Sequence, residues 1–383
     1  MSTRWPGKYV IGLTGNIATG KSVVRKMLEH LGAFGVDADA LAHQATAKGG
    51  PAYAQVVKTF GEWILTDEGE VDRARLGRLV FADPEALAKL ESLIHPFVGQ
   101  AIDFLIKRTK SPVAVVEAIK LIEAGLAKDC DALWVVHVPE AIQTLRLTDK
   151  RHLSEAEAEQ RLRAQAPQAE KVKAAKVVID NSGSFEDTWN QVQAAFNKIA
   201  PAAAPEKPRP TAQPSTPEAR TVKIRRGKPS DATAIAEFIK QATQGARSLS
   251  RADVMEAFGD KAYMLADYGD QLTAIAGWKV ENLVARVDEF YMNANAPLEA
   301  VTLPLIEAVE NASKELQSEA ALVFVPLPLA QSAAQALAAG GFTLQTADKL
   351  GVAAWKEAAK DSMPPGTAML YKKLREDRVL KPI

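Results

Sequence analysis

Gly15-Asn16-Ile17-Ala18-Thr19-Gly20-Lys21-Ser22 fits the pattern G-x-x-x-x-G-K-S, the P-loop motif. Its setting decides how the first half of the chain is read. Tyr9-Val10-Ile11-Gly12-Leu13-Thr14 before it is a short apolar run of strand character. Val23 to His30 after it reads as helix, with Val24, Met27, Leu28 and Leu31 on one stripe. Glycines let such a turn aim successive N–H groups at phosphate oxygens, and the helix N-terminus adds partial positive charge. Gly15, Asn16, Ile17, Ala18, Thr19 and Gly20 form the expected cradle. Lys21 is placed to reach the β- and γ-phosphates, and Ser22 to offer its hydroxyl to magnesium. The expected ligand is therefore ATP with Mg2+. The bland alternative is an ordinary strand-to-helix turn, which motif and setting together disfavour.

The chain has 383 residues, which predicts two domains. Lys+Arg and Asp+Glu are equal at 47 each, so no global field favours nucleic acid or an acidic membrane. Phosphate binding must come from a local cluster. Cys130 is the single cysteine, which excludes an internal disulfide or a Cys-cluster zinc site and suits a cytoplasmic protein. Neither a signal-like apolar segment near Met1 nor a bilayer-length apolar run is legible.

Six prolines between Pro201 and Pro217, interleaved with Ala, Thr, Ser and Gln, predict an extended linker over 201–220. It divides a first domain, 1–200, from a second, 221–383, with independent motion of the two as the default. In the first, apolar runs at 33–36, 113–116, 133–138 and 177–180 alternate with helical stretches that include Pro84 to Leu93 and Ser154 to Gln165. Such alternation predicts an α/β fold, a parallel sheet covered by helices, with its site beyond the carboxyl ends of the strands. The P-loop, Asp37 and Asp39, Glu117 and Asn181 all fall at those ends.

Asp37-x-Asp39 follows the second strand. One acid of such a pair can accept the proton of an attacking hydroxyl, or bind magnesium through water. The alternative for Asp39 is a cap on a helix beginning near Ala40. His95-Pro96 follows a helix read as ending at Ile94, and the pair reads as a terminator or a site. Arg146, Lys150, Arg151, Arg161 and Arg163 are either a lid over a triphosphate or a salt-bridged solvent face. Asp180-Asn181-Ser182-Gly183 is a turn and a candidate platform against adenine.

Together these pieces resemble the dephospho-CoA kinase family over residues 8–199. The resemblance rests on Ile11 to Ser22, Val36-Asp37-Ala38-Asp39-Ala40-Leu41-Ala42-His43 and Asp72-Arg73-Ala74-Arg75-Leu76-Gly77. Val80-Phe81-Ala82-Asp83-Pro84, Ile94-His95-Pro96 and Val178-Ile179-Asp180-Asn181-Ser182-Gly183 complete it. It implies a P-loop NTPase parallel sheet of five strands with a helical acceptor region and a mobile lid. It also implies phosphorylation of the ribose 3′-hydroxyl of dephospho-CoA by ATP, giving coenzyme A and ADP, the last step of coenzyme A synthesis. On the resemblance, Asp37 is the base or orienter, with Lys21 and Arg146 in the catalytic set. Asp39, Arg75, Leu76 and His95 are acceptor-site residues, and Asn181 contacts adenine. The chain departs from the family at Lys150, where arginine is common, which leaves Lys150 and Arg151 as alternative lid contacts. It departs again at Glu117 to Glu123, where Lys120 adds a charge.

The second domain reads as a strand at 221–226, a helix carrying Ala234, Ile235, Phe238 and Ile239 capped by Asp231 or Ser230, and three strands at 262–266, 272–280 and 285–292. A long helix at 298–316, a strand at 321–325, a helix at 331–339 and the stop Gly340-Gly341-Phe342 follow. This order resembles the GNAT acetyltransferase fold, an α+β domain with a mixed, largely antiparallel sheet. The pyrophosphate loop of that family is glycine-rich; here the junction reads Met292-Asn293-Ala294-Asn295-Ala296-Pro297, without glycine. The expectation is a degenerate module that binds a CoA-like ligand or a protein partner. Tyr371 is a candidate general acid or a packing residue. Two competing readings stand beside this one. One is a different P-loop nucleotide kinase fused to an active N-acetyltransferase; the other is an ATP-binding regulatory protein.

Overall fold

The computed structural model describes residues 4–375 apart from 152, 200–221, 270, 282, 294, 295 and 333. The linker at 201–220 and the middle of the glycine-free junction lie outside the described residues.

Strands and helices alternate through the first part. They are β1 (Tyr9–Thr14), α1 (Lys21–His30), β2 (Phe34–Asp37), α2 (Ala38–Thr46), α3 (Tyr53–Phe60), α4 (Arg73–Ala82) and α5 (Pro84–Arg108). Then come β3 (Val113–Glu117), β4 (Ala132–His137), α6 (Glu140–Arg151), α7 (Glu155–Arg163), α8 (Gln168–Ala174), β5 (Val177–Asp180) and α9 (Phe185–Phe196). The five strands pair in the order β2-β3-β1-β4-β5, all parallel. Their apolar runs are continuous because both faces are covered. On one face Val10, Phe34, Val36 and Val116 share a core with Val98, Ile102 and Leu105 of α5. On the other, Ile11, Leu13, Val115 and Trp134 pack with Val24, Met27 and Leu28 of α1 and Val192 and Phe196 of α9.

One helix differs from its reading. The run expected to stop at Ile94 continues through Pro96 to Arg108. Proline removes one i→i−4 hydrogen bond. Here Ile94, Val98, Ala101 and Ile102, on both sides of it, are buried in the same core, and that burial outweighs the lost bond.

The second part adds β6 (Val222–Arg226), α10 (Ala232–Ala242), α11 (Arg251–Ala257), β7 (Ala262–Tyr268), β8 (Gln271–Glu281) and β9 (Val284–Met292). It ends with α12 (Leu298–Glu315), β10 (Ala320–Pro326), α13 (Leu327–Ser332), α14 (Ala334–Ala339), β11 (Thr343–Gln345), α15 (Ala353–Ser362) and β12 (Thr367–Lys373). The sheet order is β11-β12-β10-β9-β8-β7-β6, and only β9 and β10 run parallel. That pair needs a crossover, and α12 supplies it. Helices α11 and α15 were not legible in the sequence. Asp231 does not cap α10: its carboxylate accepts from Lys228 N and Arg225 instead. Tyr371 lies half-buried on β12, its ring 5.8 Å from that of Trp355.

The two parts touch. His30 at the end of α1 bonds the carbonyl of Phe258 at 2.9 Å and meets its ring edge-on. Lys26 donates to the carbonyl of Val280 at 3.4 Å. Leu283 and Leu316 pack on the core around α5, and Phe185 packs into the core around α10.

Candidate active site

Phosphate binding starts with backbone. Gly15 and Gly20 adopt φ of +152° and +90°. A side-chain carbon at Gly15 would lie 2.5 Å from the carbonyl of Val136, and one at Gly20 would lie 2.1 Å from Nδ2 of Asn181. Both positions therefore exclude a side chain on two grounds, handedness and space. Gly20 precedes α1 without a side-chain cap, so the first amides of α1 are left for a ligand. Inside the turn Thr19 Oγ1 donates to the carbonyl of Asn16 at 2.9 Å, and Lys21 Nζ lies 3.4 Å from the same oxygen. Lys21 is buried, and that desolvation lowers its pKa, against the opposing pull of Glu117, Asp39 and Asp37.

The acids stand beside the cradle because β2, β3 and β1 are neighbours. Asp37 ends β2 and is itself the N-cap of α2, accepting from Ala40 N at 2.9 Å. This corrects the assignment of a cap to Asp39, because the helix begins two residues earlier than expected. Asp39, in the first turn, accepts from the amide of Ile119 at 3.1 Å. Burial pushes its carboxyl up to about 6. Ser22 Oγ donates to Glu117 Oε1 at 2.7 Å. Arg25 Nε donates to the other oxygen of Glu117 at 2.7 Å, and its Nη2 lies 3.8 Å from Asp37. Arg25 and Lys21 are four residues apart, hence on one helix face. That spacing was the available signal for Arg25, which the sequence reading missed.

A second group closes the cradle from the β5 side. Asn181 Nδ2 donates to the carbonyl of Thr19 at 2.8 Å, and Thr188 Oγ1 fixes the amide by donating to Asn181 Oδ1 at 2.9 Å. Arg146 on α6 donates to the carbonyls of Ala18 at 3.2 Å and Asn181 at 2.8 Å. Gln165 and Gln168 were not foreseen. Their side-chain oxygens accept from the amides of Ile17 and Asn16 at 2.8 and 2.9 Å, and Gln168 also donates to the carbonyl of Val136 at 2.8 Å. Two glutamines around Pro167 carry no sequence signature of their own. Arg163 is exposed and pairs with Glu159 at 2.9 Å, the solvent-face alternative. The choice between Lys150 and Arg151 falls on side chains outside the described residues.

The candidate acceptor residues are not all brought together. His95 lines a cavity of about 180 Å³ with Ile119, Lys120, Gln165 and Lys171. Ile119 ties this cavity to the acids: its amide binds Asp39, and its carbonyl accepts from Thr14 Oγ1 at 3.0 Å and Lys171 Nζ at 2.7 Å. Arg75 is exposed on α4 and pairs with Asp72, and it donates to the carbonyls of Trp63 and Leu65. Among the described residues no hydrogen bond or ion pair links it to Asp37 or Asp39. Leu76 is buried in the core with Val80, Ile94 and Val98.

Among the described residues no three His, Cys, Asp or Glu side chains form a metal site by themselves. The hard oxygens of Ser22, Glu117, Asp37 and Asp39 still suit a magnesium ion that draws its other ligands from phosphate and water. No helix among the described residues is long and apolar enough to cross a membrane.

A phosphate cradle at the carboxyl end of a parallel sheet, flanked by paired carboxylates and covered by an arginine, defines a P-loop phosphotransferase. Residues 9–187 match the family CoaE, dephospho-CoA kinase. A dephospho-CoA kinase of Carboxydothermus hydrogenoformans is 46% identical over 192 residues, 49% of this chain and 93% of that protein. One from Geobacter sulfurreducens is 43% identical over 195 residues, 50% of this chain and 99% of that protein. This chain belongs to the dephospho-CoA kinase family, whose members are ATP-dependent kinases. A GNAT-family acetyltransferase of Staphylococcus aureus, 14% identical, aligns over 40% of this chain and 100% of its own with a TM-score of 0.32.

Proposed function

We propose that this protein transfers the γ-phosphoryl group of ATP to the ribose 3′-hydroxyl of dephospho-CoA, giving coenzyme A and ADP. The observation that carries this reading is the P-loop beside Asp37-x-Asp39 in a chain 46% identical to a dephospho-CoA kinase across nearly all of that relative. The kinase unit is residues 1–200, joined by the linker 201–220 to the GNAT-like unit 221–383.

In this reading the α1 amides and Lys21 hold the β- and γ-phosphates and take up charge that shifts to the leaving oxygen. Asp37, fixed by its cap to Ala40, accepts or orients the proton of the 3′-hydroxyl. Ser22 would hold magnesium directly, with Asp37 or Asp39 through water, and the ion would neutralise phosphate charge there. Asp39, Arg75, Leu76 and His95 form the acceptor side, which requires Arg75 to leave its present carbonyl partners. Asn181 borders adenine, and Arg146 folds over the phosphates as the lid arginine. The GNAT-like unit is a non-acetylating module for a CoA-like ligand or a protein partner. Its support is the glycine-free junction at 292–297.

The test is ADP release by the purified chain with ATP, magnesium and dephospho-CoA, beside Asp37→Ala. Turnover that depends on dephospho-CoA and falls at least about a hundredfold in the variant is the expected result. A folded, ATP-binding protein without turnover sinks the reading. Preference for a nucleoside monophosphate as acceptor would favour a different kinase.

A further inference from the structure

The cleft that opens from the P-loop toward Asn181 is walled by both parts of the chain. It has a volume of about 640 Å³. Gly20, Arg146 and Asn181 line one side; Arg251, Met255 and Glu256 of α11 line the other. The first side is the side on which the proposed function puts the adenine of ATP.

The approach of α11 to this cleft is built into the sequence around it. Ser250 and Asp253 form a capping box that starts the helix, with Ser250 Oγ accepting from Asp253 N at 3.2 Å. Val254 and Phe258 bury their side chains in the core beneath β7 and β8, and Met255 packs on the same core while also lining the cleft. Phe185, the first residue of α9, packs into that same core from the kinase unit. Gly259, just past the helix, admits close contact. A side-chain carbon there would stand 3.1 Å from Cγ1 of Val23 on α1 and 3.2 Å from the ring of Phe185. His30 closes the contact at the far end of α1, bonding Phe258 and stacking edge-on against both Phe258 and Trp189. Arg251 pairs with Glu186 at 3.3 Å, across the rim of the cleft. A hydrophobic anchor, a close backbone approach and an ion pair thus hold one face of α11 to the segment that follows Asn181.

We propose that the carboxyl-terminal unit completes the nucleotide pocket: Met255 supplies an apolar wall to the purine of a nucleoside triphosphate, and Arg251 a cation beside it. A thioether meets an aromatic base favourably and adapts to its outline. Arg251 is exposed and its carboxylate partner is exposed too, so exchanging Glu186 for a ribose or purine acceptor carries little desolvation cost. The GNAT-like unit then acts on the kinase as part of its binding site, and the kinase unit by itself has an incomplete one. This inference rests on the P-loop being the ATP site.

The test compares two probes on the full chain by calorimetry: Mg-ATP, which has a base, and inorganic tripolyphosphate, which has none. Met255→Ala and Arg251→Ala are the variants; Arg251 is exposed, so that variant keeps the test sound if Met255→Ala folds poorly. ATP affinity is expected to fall about three- to tenfold, with tripolyphosphate affinity unchanged. Unchanged ATP affinity in both variants overturns the proposal. So does an equal loss for both probes, which would mean that α11 merely props the P-loop. Failure of the underlying reading shows separately, as a wild-type chain that binds neither probe.

Discussion

Asn181 and Thr19, 162 residues apart, are joined by a 2.8 Å hydrogen bond from the Asn181 amide to the Thr19 carbonyl. The bond fixes the last turn of the phosphate cradle to the end of β5. It also explains why Gly20, the next residue, has no room for a side chain.

Loosening that strap should weaken nucleotide binding before it weakens the fold. Asn181→Ala removes the donor and is expected to raise the KM for ATP about five- to tenfold, for a lost bond of about 1 kcal/mol. Gly20→Ala adds a left-handed penalty to a clash with Asn181 and is expected to reduce ATP affinity more than tenfold. Equilibrium binding of ATP, with thermal unfolding as the control for folding, checks both.

Asp39 is a place where function and stability pull apart. Its carboxyl is raised by burial from 3.8 to about 6, so the folded state favours the protonated form. The carboxylate therefore costs stability as pH rises from about 4 through 6, by up to about 3 kcal/mol. Asp39→Asn keeps an acceptor for the Ile119 amide and loses the charge. The variant should unfold at higher urea than the parent at pH 7.5, with a smaller gap at pH 5, and should turn over more slowly. A destabilised variant at pH 7.5 contradicts this account.

His30 gives the opposite sign. Burial lowers its pKa from 6.5 to about 4, so the neutral ring is the one that fits between Trp189 and Phe258. Its contribution is full above 6.5 and is lost as pH falls toward 4, again up to about 3 kcal/mol. Contact between the two parts should loosen on acidification in that window. Protease sensitivity or hydrogen exchange of α11 between pH 7.5 and 5 reads this out, and His30→Gln should flatten the pH dependence.

Gln168 holds two backbone groups at once, the Asn16 amide and the Val136 carbonyl. Gln168→Ala leaves both without this partner, and about 1–3 kcal/mol of stability should go with them. The P-loop is one of the two segments released, so the KM for ATP should rise in the same variant. A shift in the urea midpoint at unchanged slope, with an altered KM, is the expected pair of results.

The phosphate cradle, the parallel α/β sheet and the position of the acids at strand ends were legible along the chain. Each follows from local rules: glycine where handedness demands it, and apolar runs where a strand is buried on both faces. Other features came only with the fold. The sequence could not tell which of Asp37 and Asp39 caps α2, because the answer depends on the Ile119 amide, 80 residues downstream of Asp39. It could not pair Ser22 with Glu117, bring Gln165 and Gln168 under the P-loop, or carry α5 through Pro96. Nor could it seat α11 beside Asn181, since a proline-rich segment suggested two parts that move apart. Sheet order and core burial decide these, and both are summed over residues far apart in sequence. Local preference determined what each segment of this protein is, and long-range packing determined what each one meets.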